Sequence, residues 1–128
     1  VMGHIGLLPQ TSTKFKLQGK SFNQQKKILK DAIEISRSGV FAIVIECVVE
    51  SLAKKITKSV AVPTIGIGAS KYCDGQVLVI DDLIGLSSFQ PKFVKQYVNI
   101  NKIIENSVRN YCKEVKLRKF PFSKNVYK

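Results

Sequence analysis

The chain has 128 residues, 45% of them hydrophobic and 23% charged, a globular composition that excludes an intrinsically disordered protein. Its longest apolar runs reach about ten residues, whereas a membrane-spanning helix needs roughly 20. The net charge of +12 is compatible with nucleic-acid binding. The basic residues are mostly scattered Lys without an RNA-binding or helix-turn-helix signature, however, so an ordinary domain with a basic surface is favoured.

The first third of the chain predicts a strand followed by a helix. Residues 1–3 have the pattern of a strand end that delivers His4 into a loop. Ser21 is suited to cap a helix, and Gln24 stands where a capping box needs an amide or carboxylate side chain. Apolar residues then recur at helical spacing, and Gly39 is suited to the left-handed conformation that ends a helix.

The next segment, residues 40–49, is a continuous apolar run with a single acid, Glu46. Because polar and apolar residues do not alternate, the run predicts a strand of a parallel sheet that is buried on both faces. Glu46 then lies at the carboxyl end of the strand, where parallel α/β folds place their functional groups. The pattern leaves three roles open for Glu46: a base, a metal ligand, or half of a structural ion pair.

The remainder of the chain adds three helix signals and two strand signals. Asp74 and Gly75 form a turn sequence between the two strands. The predicted elements, in chain order, are a helix over residues 50–59, a strand over 64–69, a strand over 76–80 that Asp81 and Asp82 close, a helical segment over 92–97 and a helix over 101–117.

This order of elements predicts an α/β fold in which about four parallel strands are built from right-handed βαβ units. No internal repeat and no linker divides the chain, so residues 1–128 are predicted to form a single domain. The pattern fits a small open sheet and half of an eight-stranded barrel equally well, since a whole (β/α)8 barrel takes ~250 residues.

Six short motifs follow one another along nearly the whole chain. They are GHIGLLPQ at residues 3–10, LQGK at 17–20, IEC at 45–47, PTIGIGA at 63–69, CDGQVLV at 73–79 and PKFVK at 91–95. In this order and spacing they resemble the C-terminal half of the ketopantoate hydroxymethyltransferases, also called 3-methyl-2-oxobutanoate hydroxymethyltransferases. Six ordered motifs make the resemblance far more specific than any single motif does.

The resemblance implies the C-terminal half of a (β/α)8 TIM barrel in an enzyme of pantothenate biosynthesis. That family transfers a hydroxymethyl group from 5,10-methylenetetrahydrofolate to 3-methyl-2-oxobutanoate, with Mg²⁺ polarising the keto acid. The resemblance assigns to Glu46 the general base that removes a proton from C3 of the keto acid. It implies no metal ligand in this chain, because the family's magnesium-binding acids lie in the N-terminal half of the barrel.

Four other polar residues are candidates for a site. His4 is the single histidine, and both a substrate-binding role and a structural role stay open for it. Asp74, Asp81 and Asp82 carry the oxygen ligands that suit Mg²⁺. Turn and helix-cap roles are favoured for these three, because adjacent residues on a strand point to opposite faces and Asp81 and Asp82 would not share an ion.

The resulting hypothesis is a truncated or split hydroxymethyltransferase that carries the base-bearing half of the barrel. Because half a barrel exposes two strand edges, the chain is expected to need a complementary N-terminal half or self-association, and to show little transferase activity alone. The alternative is an inactive remnant or a basic nucleic-acid-binding module. Three cysteines without CxxC spacing indicate reduced thiols and a cytoplasmic location, with no membrane partner.

Overall fold

The computed structural model describes residues 1–8 and 16–127, which form short parallel strands and flanking helices. The strands are β1 (Gly3–Gly6), β2 (Ile43–Glu46), β3 (Thr64–Ile67) and β4 (Gly75–Gln76). The helices are α1 (Phe22–Arg37), α2 (Glu50–Ser59), the single turn α3 (Ile80–Leu83) and α4 (Ile100–Lys116), with a short 3-10 helix at Ser123–Asn125. No helix in the two described ranges has the length and apolar character needed to cross a membrane.

The chain divides into two compact units, Val1–Leu78 and Val79–Lys128. The first unit contains a four-stranded sheet in the order β1-β2-β3-β4, with every neighbouring pair parallel. Helices α1 and α2 make the first two crossovers, whereas a short loop without a helix joins β3 to β4. Such a connection is shorter than the dozen or more residues usual between parallel strands. The predicted α/β fold with four parallel strands is confirmed, and it is consistent with half of a TIM barrel.

One face of the sheet packs on α1 and α2 and forms the core of the first unit. Ile43 and Ile45 of β2 are fully buried there, against Ala32 of α1 and Ile56 of α2. This contact follows from the sequence, because apolar residues at helical spacing place one stripe of each helix against the sheet. The core therefore lies on the face that would be the outside of a barrel wall.

The opposite face of the sheet carries the intervening residues, since side chains alternate along a strand. On this face Val44 is half-buried, whereas Glu46 is buried, so the prediction that β2 is buried on both faces is confirmed at Glu46 but not at Val44. In a closed barrel this face lines the interior. Its residues form two register rows: His4, Val44 and Ile65, then Gly6, Glu46 and Ile67.

The first strand differs from its prediction. His4 lies inside β1 rather than in a loop after it, because the strand runs to Gly6. The predicted loop around Pro9 lies outside the described residues. The helix prediction is confirmed: α1 begins after Ser21, whose Oγ accepts a hydrogen bond from the N–H of Gln24 at 3.3 Å. Past its end, Gly39 has a left-handed φ of 88°.

The strand predicted over residues 76–80 is wrong beyond Gln76. Residues 80–83 instead form the single helical turn α3, with Asp81 and Asp82 in its first turn, where carboxylates interact favourably with the positive end of a helix. The helical segment predicted over residues 92–97 is also wrong. There the N–H of Val94 donates to the carbonyl of Pro91 at 2.9 Å in a single turn, and the N–H of Tyr97 donates to the carbonyl of Leu83 in α3 at 2.9 Å, so no helix forms. Helix α4 is confirmed.

Candidate active site at the carboxyl end of the sheet

His4 and Glu46 lie on the same face of the sheet, on neighbouring strands. His4 pairs in register with Val44, so Glu46 is its diagonal neighbour two residues further along β2. Nε2 of His4 lies 3.1 Å from Oε2 of Glu46, and the two side chains are 30% and 11% exposed. Nε2 makes no aligned hydrogen bond within the described part of the chain. The pair is therefore a close electrostatic contact rather than a formed hydrogen bond.

The arrangement suits proton transfer to a small bound molecule. The Glu46 carboxylate is almost buried, yet it belongs to the face of the sheet that the helices do not cover. A carboxylate accepts a proton when a substrate atom comes within hydrogen-bond reach of it. The half-exposed imidazole of His4 beside it has a second nitrogen with which it can contact and orient the same molecule.

The backbone on both sides of Glu46 is bonded to the neighbouring strands. The Glu46 carbonyl accepts a hydrogen bond from the N–H of Leu7 at 2.9 Å, and the N–H of Cys47 donates to the carbonyl of Ile67 at 2.9 Å. Cys47 has a φ of 50°, a left-handed conformation that is uncommon for a residue with a side chain. Such strain persists where surrounding bonds over-determine the backbone, and it clusters at functional sites.

Gly6 allows β1 to approach Glu46 closely. Gly6 has a φ of 94°, and a Cβ at this position would overlap the Glu46 carbonyl oxygen and lie 2.7 Å from Cγ2 of Val48. A larger residue would therefore push the end of β1 away from the end of β2. The distance between His4 and Glu46 depends on this close packing.

The thiol of Cys47 lies directly beside the Glu46 position but does not act as a nucleophile. Cys47 is buried, with 4% of its surface exposed. Burial, and to a smaller extent the negative charge of Glu46, raises the pKa of the Cys47 thiol from 9.0 to about 11. Because the thiolate is the reactive form, Cys47 is inert at neutral pH and contributes through its backbone.

Asp74 serves the turn before β4. Its Oδ2 accepts hydrogen bonds from the N–H of Thr64 at 2.8 Å and from the Thr64 hydroxyl at 3.0 Å. These bonds lower the pKa of Asp74 below its ordinary value of 3.8. Thr64 pairs with Ile43 at the start of β2, so Asp74 lies at the end of the sheet opposite Glu46. The turn role predicted for Asp74 is thus supported by its contacts.

The described residues do not fit a complete magnesium site. Within residues 1–8 and 16–127, no three His, Cys, Asp or Glu side chains come together as a metal-binding cluster. Asp81 and Asp82 lie in one helical turn, so the earlier reason for separating them, opposite faces of a strand, is wrong.

The sequence predicts the two polar side chains of the site but not the backbone features that hold them. Glu46 at the carboxyl end of a strand was predicted, whereas the contact with His4 was not, because pairing between strands sets it. Gly6 and Cys47 were not predicted either. Gly6 belongs to the motif GHIGLLPQ and Cys47 to the motif IEC. These motifs are the signal in the sequence that points to the two residues. Gln18, in the motif LQGK, also forms a bridge with Val48, just after the end of β2.

Comparison with known proteins gives consistent matches over the whole chain. The family model described as ketopantoate hydroxymethyltransferase matches residues 1–123. A 3-methyl-2-oxobutanoate hydroxymethyltransferase of Pelagibacter ubique (strain HTCC1062) is 55% identical over 127 residues, which are 99% of this chain and 49% of the relative. The protein of the same name from Clostridium botulinum (strain Langeland) is 50% identical, over 100% of this chain and 48% of the relative. This chain spans about half the length of the curated relatives it matches.

Proposed function

This chain belongs to the ketopantoate hydroxymethyltransferase family, and from that premise we propose that it carries the half of the enzyme's barrel that provides the general base. The observation that carries the proposal is the Glu46 carboxylate, which lies at the carboxyl end of a parallel strand, 3.1 Å from His4. Enzymes with parallel barrels place their catalytic groups at this end of the strands. The proposed substrate is 3-methyl-2-oxobutanoate, and the product is 2-dehydropantoate.

Glu46 is the proposed base of the first step. Its carboxylate takes the proton from C3 of the keto acid, and the C3–H electron pair becomes part of an enolate. Water converts 5,10-methylenetetrahydrofolate, the proposed co-substrate, into tetrahydrofolate, which leaves, and a one-carbon unit at the oxidation level of formaldehyde. The enolate carbon forms the new C–C bond to that carbon, the C=O π pair moves to its oxygen, and this oxygen takes the proton back from Glu46 to give the hydroxymethyl group. The position of Glu46 supports this role, because its carboxylate lies on the uncovered face of the sheet, within reach of a substrate bound beside His4.

His4 is the proposed substrate-binding residue. Its imidazole is half-exposed and lies against Glu46 on the uncovered face of the sheet. A ring in this place can hydrogen-bond a carboxylate or keto oxygen of the substrate, which would orient C3 toward Glu46. This role is distinct from that of the base, and it predicts a larger effect on substrate binding than on proton removal.

The proposal also includes a partner. β1 is an edge strand of the sheet, and its amide groups at alternate positions point away from β2. Beside it lies a groove of about 570 Å³ that is lined by β1 and by α1, including Ile28, Asp31 and Ile35. We propose that a complementary N-terminal half adds its last strand to β1 and fills this groove. In this family the magnesium ligands lie in that half.

A direct experiment tests the base-bearing half. The N-terminal half of the Pelagibacter relative, which this chain does not match, is co-expressed with this chain, and turnover is measured with both substrates and Mg²⁺. The pair should form 2-dehydropantoate, and the chain alone should form almost none. The Glu46→Gln pair should assemble but not turn over, while Glu50→Gln, an exposed carboxylate nearby on α2, should behave as wild type.

Two results would contradict the proposal. Robust turnover by the purified chain alone would show that no complementary half is needed. Wild-type turnover by an assembled Glu46→Gln pair would remove Glu46 from the role of base. Size-exclusion chromatography of each pair shows whether assembly took place, so that a missing partner is not mistaken for a missing base.

A second candidate function rests on the net charge of +12. An inactive remnant of the enzyme could persist as a basic nucleic-acid-binding module. Its binding of RNA or DNA would then weaken steeply between roughly 50 and 200 mM salt, because each phosphate contact releases counterions. A gel-shift assay at the two salt concentrations separates the candidates: salt-sensitive binding without turnover of the co-expressed pair favours the module. The cytoplasm remains the proposed location in both cases.

A further inference from the structure

Gln18 bonds to the backbone that follows Glu46. Its N–H donates to the carbonyl of Cys47 at 2.8 Å, and its carbonyl accepts from the N–H of Val49 at 3.1 Å. These bonds form an isolated parallel bridge between Gln18 and Val48. The three residues that connect Glu46 to α2 are therefore held by a segment that lies far from them in the sequence.

The side chain of Gln24 holds that segment in turn. Its Oε1 accepts hydrogen bonds from the N–H of Gly19 at 2.8 Å and from the N–H of Lys20 at 3.2 Å. Its Nε2 donates to Oε1 of Gln18 at 2.6 Å. Gln24 lies in the first turn of α1, and its three amide contacts within the described residues are all made to residues 18–20.

The segment has no room to shift toward α2. Gly19 has a φ of 80°, and a Cβ there would lie 2.8 Å from Cδ2 of Leu52. Gln25 adds a further bond, from its Nε2 to the carbonyl of Gly19 at 2.8 Å. Residues 18–20 are consequently packed against Leu52 on one side and hydrogen-bonded to Gln24 and Gln25 on the other. The position of α1 therefore determines the position of the backbone that follows β2.

We propose that Gln24 is a positioning residue for Glu46. Through Gln18 it fixes the backbone of residues 47–49, keeps Cys47 in its left-handed conformation, and so holds the Glu46 carboxylate against His4. Released from Gln18, the left-handed backbone at Cys47 would relax, and the carboxylate would turn away from the imidazole. This inference rests on the proposed role of Glu46 as the base.

Two buried cysteines and the single histidine can report whether the backbone at Cys47 is released from Gln18. Cys47 is buried beside the bridge, and Cys73 is buried in the loop between β3 and β4. Local release therefore exposes the first thiol and leaves the second protected, whereas global unfolding exposes both. His4 is the single histidine, so one imidazole signal in an NMR spectrum reports its contact with Glu46.

The experiment compares variants of the 128-residue chain. Gln24→Met keeps the side-chain length and removes both polar atoms, Gln24→Glu keeps the acceptor for Gly19 and Lys20, and Asn23→Ala is an exposed neighbour on the same helical turn. The alkylation rates of Cys47 and Cys73 are measured by mass spectrometry after brief exposure to iodoacetamide. The imidazole signal is compared with that of Glu46→Gln, and circular dichroism verifies that α1 is folded.

In Gln24→Met we expect Cys47 to react about tenfold faster, as follows from the loss of one to two net hydrogen bonds, while Cys73 is unchanged. The His4 signal should move in the direction seen for Glu46→Gln. Gln24→Glu should restore most of the protection, and Asn23→Ala should match wild type. If Gln24→Met does not fold, Gln18→Met, which removes the side-chain acceptor for Gln24 Nε2, is measured in its place: a faster Cys47 rate with Cys73 unchanged supports the proposal, and a wild-type Cys47 rate overturns it.

Three outcomes overturn the inference: an unchanged Cys47 rate, an equal increase at Cys47 and Cys73, or a His4 signal that stays at the wild-type position. None of these measurements depends on catalytic turnover. Failure here would leave the base role of Glu46 intact, and an inactive co-expressed pair would leave the positioning of Glu46 by Gln24 intact.

Discussion

The end of β1 packs directly against the Glu46 peptide group, because Gly6 lies so close that any Cβ would overlap the Glu46 carbonyl oxygen. The same Gly6 has a left-handed φ of 94°, a region that side-chain-bearing residues rarely adopt. Two independent requirements, conformation and space, therefore select glycine at this position. Both serve to keep His4 and Glu46 on neighbouring strands at a short distance.

We predict that Gly6→Ala destabilises the fold more than Gly39→Ala does. Gly39 also has a left-handed φ, 88°, but a Cβ there meets nothing within 4 Å. Gly39→Ala should therefore cost only the conformational strain, about 1–2 kcal/mol. Gly6→Ala adds overpacking, about 1–3 kcal/mol more. Urea denaturation of both variants measures the difference; equal losses would show that the space at Gly6 is not needed.

Much of the first unit was predictable from the sequence because local signals and tertiary packing agree there. Ser21 and Gly39 mark the ends of α1, and apolar periodicity marks its buried side. β4 was mispredicted because Val77 and Val79 read as strand residues, whereas the structure turns the chain into α3 at Ile80. Acidic residues at 81 and 82 were interpreted as the end of a strand, although they equally suit the start of a helix.

The site was predictable only as separate residues. The position of Glu46 at the end of an apolar run indicated its place in the sheet, and the family motifs indicated its role. The His4 contact depends on the register of β1 against β2, which no local pattern encodes. Likewise, the bonds from Gln24 to residues 18–20 were visible in the sequence only as a capping-box position.

Variants of the two polar side chains should separate proton removal from substrate binding in the co-expressed pair. Glu46→Gln should slow exchange of the C3 hydrogen of 3-methyl-2-oxobutanoate with deuterated water by roughly 10²–10⁴-fold, the contribution of a positioned base. This exchange, measured by NMR without the folate, isolates the first step. His4→Gln should raise KM about tenfold, as expected for a lost hydrogen bond, with a smaller effect on exchange. The reverse pattern would exchange the two roles.

Thiol labelling should distinguish the three cysteines. Cys112 is exposed on α4 and Cys47 is buried, and the pKa of the Cys47 thiol is raised from 9.0 to about 11. At pH 8 this shift leaves roughly a hundredfold less thiolate at Cys47 than at an unperturbed thiol. One thiol per chain should react rapidly with Ellman's reagent, and Cys112→Ser should abolish the rapid phase. A rapid phase that survives in Cys112→Ser would contradict the burial of the other two thiols.

The hydrogen bonds from Thr64 to Asp74 should make stability sensitive to acid. They favour the charged carboxylate and lower the pKa of Asp74 below 3.8 in the folded chain, so the unfolded chain binds the proton more readily. The stabilisation is therefore complete above about pH 5 and is lost as the pH falls through 3.8 and below. Asp74→Asn should be less stable than wild type at pH 7, and the gap between the two should narrow as the pH falls below 3.8. Asp81→Asn, on the exposed first turn of α3, should run parallel to wild type in urea denaturation at each pH. A constant gap between Asp74→Asn and wild type from pH 7 to pH 3 would mean that the Thr64 bonds do not depend on the charge of Asp74.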